Sequence, residues 1–262
     1  MDIKPNDQKP PQKNLLTALG AGFVAILLKF KLSLLFFLKY LSLIKIGWIF
    51  SSFGSMLISF GFYTTLYGWP FALTLIALLY IHEMGHFLWM KALNLNPNGP
   101  VFIPGLGAYV AMKNLPTTKK DSAWVAMAGP LVGGLASVIA YTIGLKTNND
   151  WLIKSGATGF ILNLFQLIPA KPFDGGFIVA ALSKWLLVPG AFFLLALSFA
   201  FHSGFLILIS VVSFIQVFML FGNKPKIDDL MQETNLVDKA LITIAYVSLI
   251  SMLAYLTYAS RY

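Results

Sequence analysis

Long apolar runs separated by short polar segments dominate this chain of 262 residues. About 20 predominantly apolar residues are enough to cross the hydrocarbon core of a bilayer as a helix. The pattern therefore predicts an all-α polytopic membrane protein with about six transmembrane helices. The runs that predict these helices are 46–68, 70–93, 122–145, 151–168, 189–221 and 236–258.

Two of these runs have features that bear on their shape. The run 189–221 fits either one long helix or a hairpin bent near Ser203 and Gly204. The run 151–168 ends at 169–172 (Pro-Ala-Lys-Pro), where a regular helix cannot continue. Proline lacks an N–H donor and restricts the residue before it. A further apolar segment follows this break.

The remaining segments flank or connect the predicted spans. Residues 1–45 combine a polar tail with an apolar stretch interrupted by lysines, which is typical of interfacial amphipathic helices. We therefore expect the transmembrane domain to occupy residues 46–262. Residues 101–112 alternate loosely and contain two glycines, which predicts a short β-hairpin or an extended segment at the membrane surface.

The composition agrees with a membrane protein, since 58% of the residues are hydrophobic and only 11% are charged. The net charge of +9 comes almost entirely from lysines. Lysines beside apolar segments reach to the membrane surface and contact anionic lipid, so the lipid bilayer is an expected partner. A nucleic-acid partner is excluded because base-reading side chains do not accompany the basic residues. The absence of cysteine excludes disulfides and thiolate metal ligands.

Two histidines four residues apart, His82 and His86, lie inside one of the apolar runs. A helix places residues i and i+4 on one face, so both imidazoles can bind one metal ion. Glu83, one position further round the helix, can then reach a water on that metal. This His-Glu-x-x-His pattern is typical of zinc hydrolases. Ionisable side chains at bilayer depth are energetically costly, which favours a functional interpretation over a structural one.

A catalytic zinc normally has three protein ligands and a water, so a third ligand is needed. The sequence offers Asp174, Glu233 and His202. We favour Asp174, because it and Glu83 are the two acidic residues embedded in apolar sequence. It also follows the proline break, and two glycines after it would let the chain turn tightly against a metal. Glu233 lies in an ordinary polar loop, and His202 is an isolated histidine near a predicted helix end.

Three motifs together resemble the site-2 protease family of intramembrane zinc metallopeptidases. They are His82-Glu-Met-Gly-His86, 128–133 (Ala-Gly-Pro-Leu-Val-Gly), and 163–169 (Asn-Leu-Phe-Gln-Leu-Ile-Pro) running on to Phe173-Asp-Gly-Gly176. The resemblance covers about 70–186 and implies a three-helix catalytic core that cuts transmembrane segments of substrate proteins. It also implies one zinc ion per chain, held by the residues that match the family's ligands, here His82, His86 and Asp174.

Two amides in the third motif are candidates for contact with the substrate or with the oxyanion. The resemblance implies an asparagine three residues before the proline, where this chain has Gln166. Asn163, one helical turn earlier, is present. Glutamine is longer than asparagine but remains a hydrogen-bond donor.

The chemistry that these residues predict is hydrolysis of a peptide bond. Water bound to zinc has a pKa of about 7, so it supplies a nucleophile at neutral pH. Glu83 would take its proton and deliver it to the leaving amine. The expected substrate is a transmembrane protein whose helix unwinds at the site, and the segment 101–112 could pair with the extended substrate.

Three other functions fit parts of the sequence. A membrane metalloprotease with a glutamate as third ligand would use Glu233. A membrane zinc transporter should carry further ionisable residues along its other helices, and these helices have almost none. A non-catalytic module that binds transmembrane helices would not require Glu83. Lysine-rich loops after 91 and 221 predict a multi-pass protein of a bacterial-type cell membrane, with the active site toward the cytoplasmic side.

Overall fold

The computed structural model describes residues 52–220 and 230–261. The interfacial helices predicted within 1–45 lie outside the described residues. The described part is mostly helical, as predicted. Its helices are α1 (Ser52–Tyr67), α2 (Trp69–Ala92), α3 (Lys119–Thr147), α4 (Asp150–Gln166), α5 (Asp174–Leu182), α6 (Leu187–Ala200), α7 (Gly204–Leu220) and α8 (Leu236–Ala259), with a 3₁₀ turn at Lys184–Leu186.

Three of these helices are long and apolar enough to cross a membrane, namely α2, α3 and α8. The others in the described ranges are shorter. At 1.5 Å per residue, the 16 residues of α1 and the 17 of α4 extend for only about 24 and 26 Å, against about 30 Å of hydrocarbon. The expectation of a mostly helical chain with candidate membrane helices is confirmed, while the number six stays a prediction.

Local sequence signals account for where the long helices begin. Pro70 occupies the first turn of α2, where its missing N–H costs nothing. Thr118 caps α3 by accepting a hydrogen bond from the backbone N–H of Asp121 at 3.0 Å. Asn235 caps α8 in the same way, through the N–H of Asp238 at 2.8 Å. These polar caps set the helix starts.

Helix α3 packs against both α2 and α4 along its small residues. A Cβ atom added at Gly133 would collide with the Asn163 amide of α4, so glycine is required for this close approach. Two hydrogen bonds join α2 to α4, one between Thr74 and Ser155 and one between His82 and Asn163. Residue numbers increase by eight along both helices from the first bond to the second. Helices α2 and α4 therefore run parallel, with α3 packed against both.

The predicted break after α4 is present and covers 167–173, between the end of α4 and the start of α5. Gly175 and Gly176 do not form the tight turn that we expected, because both lie within the helix α5. Their role is close packing. A Cβ at Gly175 would collide with the carbonyl oxygens of Leu167 and Ile168. The glycines therefore let α5 lie directly against the break.

The run 189–221 forms a hairpin, the second of the two shapes that the sequence allowed. Helices α6 and α7 pack against each other. The chain reverses between them at 201–203, where His202 adopts a positive φ of 49°. His202 is therefore part of this turn.

The predicted β-hairpin is also present. Strands β1 (Val101–Ile103) and β2 (Gly107–Tyr109) are antiparallel, with Val101 opposite Tyr109. Two side chains of α1 hold the hairpin: Ser55 Oγ accepts from the N–H of Phe102 at 3.1 Å, and Tyr63 Oη accepts from that of Gly105 at 3.2 Å. Strand β2 packs against α2, the helix of the His-Glu motif.

Candidate metal centre

Three side chains from two helices converge at the start of α5. The Nε2 atoms of His82 and His86 lie 3.1 Å apart, and they lie 3.0 and 3.4 Å from Oδ2 of Asp174. Two ligands each 2.1 Å from a tetrahedral zinc are separated by about 3.4 Å. The triangle of ligand atoms therefore has nearly the dimensions that a tetrahedral ion requires. We call the candidate metal ligands His82, His86 and Asp174 the metal centre.

The other nitrogen of each imidazole is fixed by a hydrogen bond. His86 Nδ1 lies 2.7 Å from the carbonyl oxygen of Val125 in α3, and a carbonyl can only accept, so Nδ1 carries the proton. His82 Nδ1 lies 2.8 Å from Oδ1 of Asn163, whose Nδ2 donates to the Gly159 carbonyl at 2.8 Å. The Asn163 amide is therefore oriented to accept from His82. Both Nε2 atoms are left with free lone pairs.

When each ring carries its single proton on Nδ1, the two Nε2 atoms present lone pairs to each other and to the buried Oδ2 of Asp174. Three acceptors at this separation repel one another unless a cation lies among them. Two neutral imidazoles and one carboxylate form a donor set that zinc prefers. The residues thus fit a zinc ion.

Glu83 is buried beside this centre, with 3% of its surface exposed. Its carboxylate accepts a hydrogen bond from the backbone N–H of Val110. Val110 immediately follows β2, so the backbone that leaves the hairpin contacts the carboxylate. Glu83 is therefore a buried carboxylate that adjoins the candidate ligand His82 in sequence and accepts from a backbone donor.

Gly129 of α3 lies against the two imidazoles. A Cβ at this position would collide with Nε2 of His86 and approach Nε2 of His82 to 2.8 Å. The close packing of α3 thus extends to the metal centre itself. The motif at 128–133 is the sequence signal for Gly129. Val125 had no signal, because its contribution is a backbone carbonyl that any residue has.

The two predicted amides occupy different environments. Asn163 is buried, and its oxygen and one N–H are engaged as described. Gln166 lies one turn later on the same face of α4 and is half-buried. It lines a cavity of about 50 Å³ between α2 and α4 that extends to His82 and Asn163. The rest of the cavity wall is apolar, so the amide of Gln166 is one of its few polar groups.

The other two candidate ligands lie elsewhere. Glu233 forms an ion pair with Lys119 at the start of α3, and Thr118 pairs with Gln232 beside it. His202 lies in the turn between α6 and α7. Among the described residues, His82, His86 and Asp174 are the acidic and imidazole side chains that come together around one point.

The model of peptidase family M50 matches residues 70–258, from the first turn of α2 to the last turn of α8. The chain belongs to peptidase family M50. The match extends well beyond the core at 70–186 that the sequence motifs suggested. It includes the hairpin of α6 and α7 as well as α8, so these helices are part of the M50 domain.

Three similar proteins illustrate the M50 relationship. The chain is 30% identical over 125 residues to the probable zinc metalloprotease EGY2, chloroplastic, of Arabidopsis thaliana, covering 46% of this chain and 20% of that protein. It is 28% identical over 120 residues to the probable zinc metalloprotease EGY1, chloroplastic, of Oryza sativa subsp. japonica, covering 44% of this chain and 19% of that protein. A site-2 protease structure from Methanocaldococcus jannaschii matches with 20% identity and a TM-score of 0.45, covering 65% of this chain and 88% of that one.

The chain spans about a fifth of the length of the two curated relatives. At the level of the M50 family, three predictions are confirmed: the resemblance to site-2 proteases, a zinc metalloprotease as enzyme class, and zinc as cofactor. The apolar helices agree with a membrane protein.

Proposed function

We propose that this chain is a zinc-dependent intramembrane endopeptidase that hydrolyses peptide bonds within or next to transmembrane segments of membrane-protein substrates. One observation carries the proposal. His82, Glu83 and His86 lie on α2, which is long and apolar enough to cross a membrane, and Asp174 Oδ2 lies within 3.4 Å of both imidazoles. Such a cluster is compatible with hydrolysis inside a bilayer.

Each residue of the site has a proposed role. His82, His86 and Asp174 would hold one zinc ion, which would supply Lewis-acid activation of water and of the substrate carbonyl. Glu83 would act as the general base that takes a proton from the attacking water and as the general acid that returns it to the leaving amine. The Val110 N–H orients the Glu83 carboxylate while it does so. This division of roles needs no side chain from outside the M50 match.

The two amides receive different roles in this proposal. Asn163 orients His82, because a hydrogen bond to Nδ1 keeps the metal-facing Nε2 unprotonated. Gln166 contacts the substrate or the developing oxyanion, because its amide lines the cavity beside His82. Gln166 thus takes the contact that the sequence had offered to both amides.

The β-hairpin is the proposed docking site for the unwound substrate. A helical peptide bond is shielded by its own backbone, so the substrate must be extended at the site. An extended segment can add to the edge of β1 or β2 through backbone hydrogen bonds. Because Val110 follows β2 and contacts Glu83, a segment bound there lies next to the general base.

In the proposed architecture, the protease domain occupies 46–262, with about six transmembrane helices around the core at 70–186, and interfacial helices precede it. His82 is 10 residues from the C-terminal end of α2, about 15 Å, and 13 residues, about 20 Å, from its start. Lys91 lies near that closer end. Because lysine-rich loops favour the cytoplasm, we propose that the site lies toward the cytoplasmic side of a bacterial-type cell membrane.

The first test is the zinc content of the detergent-purified chain. We expect one zinc in the wild type, loss of that zinc in Asp174→Ala, and retention in Glu233→Ala. Zinc lost from Glu233→Ala and kept in Asp174→Ala would assign the third ligand to the glutamate instead.

Proteolysis is tested with a tagged transmembrane segment that contains a helix-breaking Gly-Pro pair, reconstituted with the enzyme in liposomes. We expect cleavage within or next to the segment by the wild type and none by Glu83→Gln, which should still bind zinc. Zinc binding without cleavage of any of a panel of such segments would favour a module that only binds transmembrane helices.

A further inference from the structure

Tyr246, near the middle of α8, reaches across to the chain break that precedes Asp174. Its hydroxyl donates a hydrogen bond of 2.5 Å to the carbonyl oxygen of Leu167. Both residues are buried, with 8% of Tyr246 and 2% of Leu167 exposed. Helix α8 carries none of the motifs that predicted the site. The contact links this last helix to the backbone beside the metal centre.

The carbonyl of Leu167 needs such a partner because the helix ends there. In a continuing helix it would accept from the N–H four residues later, but the chain turns at Pro169. The neighbouring carbonyls are satisfied within the break: that of Ile168 accepts from Ala170 at 2.7 Å, and that of Ala170 accepts from Phe173 at 3.0 Å. Irregular backbone at membrane depth is tolerated where protein groups satisfy it. Tyr246 supplies that group for Leu167.

The same carbonyl lies against the first turn of α5. A Cβ at Gly175 would collide with the carbonyl oxygen of Leu167, so this oxygen and the Gly175 backbone are in close contact. Asp174 is the residue immediately before Gly175. Moving the Leu167 carbonyl would therefore move the start of α5, and with it the Asp174 oxygen that faces both imidazoles.

We propose that Tyr246 is a positioning residue for the metal centre. This proposal rests on the ligand set of the proposed function. The Tyr246 hydroxyl fixes the Leu167 carbonyl, this carbonyl packs against the Gly175 backbone, and the position of Gly175 determines the position of Asp174. Helix α8 thereby contributes to zinc affinity without touching the zinc. This role explains why a helix outside the catalytic core packs against both α4 and α5.

The test compares zinc affinity, measured by competition with a chromophoric chelator, across four forms of the detergent-purified full chain. These are the wild type, Tyr246→Phe, Tyr255→Phe and Leu249→Ala. Tyr255 is on the same helix with 69% exposed, so its variant controls for loss of a hydroxyl alone. Leu249 is buried one turn from Tyr246, so its variant controls for loosened packing of α8.

We expect Tyr246→Phe to bind zinc about ten-fold more weakly than the wild type, as for other groups that orient a ligand from behind. Tyr255→Phe should bind zinc like the wild type. Leu249→Ala should lower the unfolding temperature of the zinc-free protein but lose less zinc affinity than Tyr246→Phe does. The inference is overturned by equal affinity of Tyr246→Phe and wild type, or by an equal loss in Leu249→Ala. Absence of zinc from the folded wild type would instead overturn the proposed function itself, and this inference with it.

Discussion

Thr74 of α2 and Ser155 of α4 share a buried hydrogen bond with their oxygens 3.0 Å apart. Eight residues further along each helix, His82 and Asn163 make the corresponding contact at 2.8 Å. Both pairs are separated by 81 residues in sequence. The two parallel helices are therefore in register over about two turns. The Thr74–Ser155 bond helps to align His82 with Asn163 at the metal centre.

We predict that Thr74→Val lowers the free energy of unfolding by about 0.6 kcal/mol, which is typical of a hydrogen bond between membrane helices. The variant keeps the side-chain shape but leaves the Ser155 hydroxyl without its partner. In a Ser155→Ala background the same substitution should cause little further loss. Denaturation in mixed detergent micelles measures both effects.

Thr158→Val on α4 is the matched control for Thr74→Val. The Thr158 hydroxyl is exposed and bonds to the Lys154 carbonyl of its own helix at 2.8 Å. Equal destabilisation by Thr158→Val and Thr74→Val would show that the bond between the helices contributes nothing particular to their alignment.

Asn163 is expected to act on zinc binding more than on substrate turnover. Asn163→Ala removes the acceptor that holds His82 Nδ1, and we predict a loss of zinc affinity of about 10- to 100-fold. At saturating zinc, cleavage should be largely restored. If zinc affinity stays normal while kcat falls at saturating zinc, Asn163 contacts the reacting substrate, as the sequence alone had allowed.

The helices could be predicted because each apolar run is a local signal. The observed α2 and α3 begin within three residues of the runs that predicted them, and the end of α4 was marked by Pro169. The number of spans was less predictable. Apolar composition indicates burial in lipid or in protein alike. Helices α4 and α6 are apolar, but their 17 and 14 residues are fewer than the roughly 20 that a membrane-spanning helix needs.

The candidate site was predictable where its residues are close in sequence or chemically unusual. The spacing of His82 and His86 brings them together within one helix, and Asp174 is conspicuous as an acid in apolar sequence. The contacts of Val125 and Tyr246 were not predictable. They depend on which backbone carbonyls the tertiary packing brings near a donor, and residue type does not encode this.

Removal of zinc should destabilise the folded chain. A ligand that binds only the native state adds stability that grows with its concentration, about 2.7 kcal/mol at a hundred times Kd. We predict a higher unfolding temperature with zinc than with a chelator for the wild type and for Glu83→Gln, which keeps the ligands. His82→Ala should unfold at the same temperature in both conditions; a zinc-dependent shift of wild-type size in that variant would exclude His82 as a ligand.

Gly129→Ala should abolish tight zinc binding, although it adds only one methyl group. That methyl would occupy the space of His86 Nε2, so α3 must move away or the imidazole must rotate out of the triangle. Gly134→Ala, on the same helix, is the control, because its methyl would meet only the flexible end of Leu253 at 3.1 Å. We expect Gly134→Ala to bind one zinc and Gly129→Ala to bind none at micromolar zinc, measured by elemental analysis after desalting. Normal zinc content in Gly129→Ala would mean that the two imidazoles do not bind the ion through the Nε2 atoms that face α3.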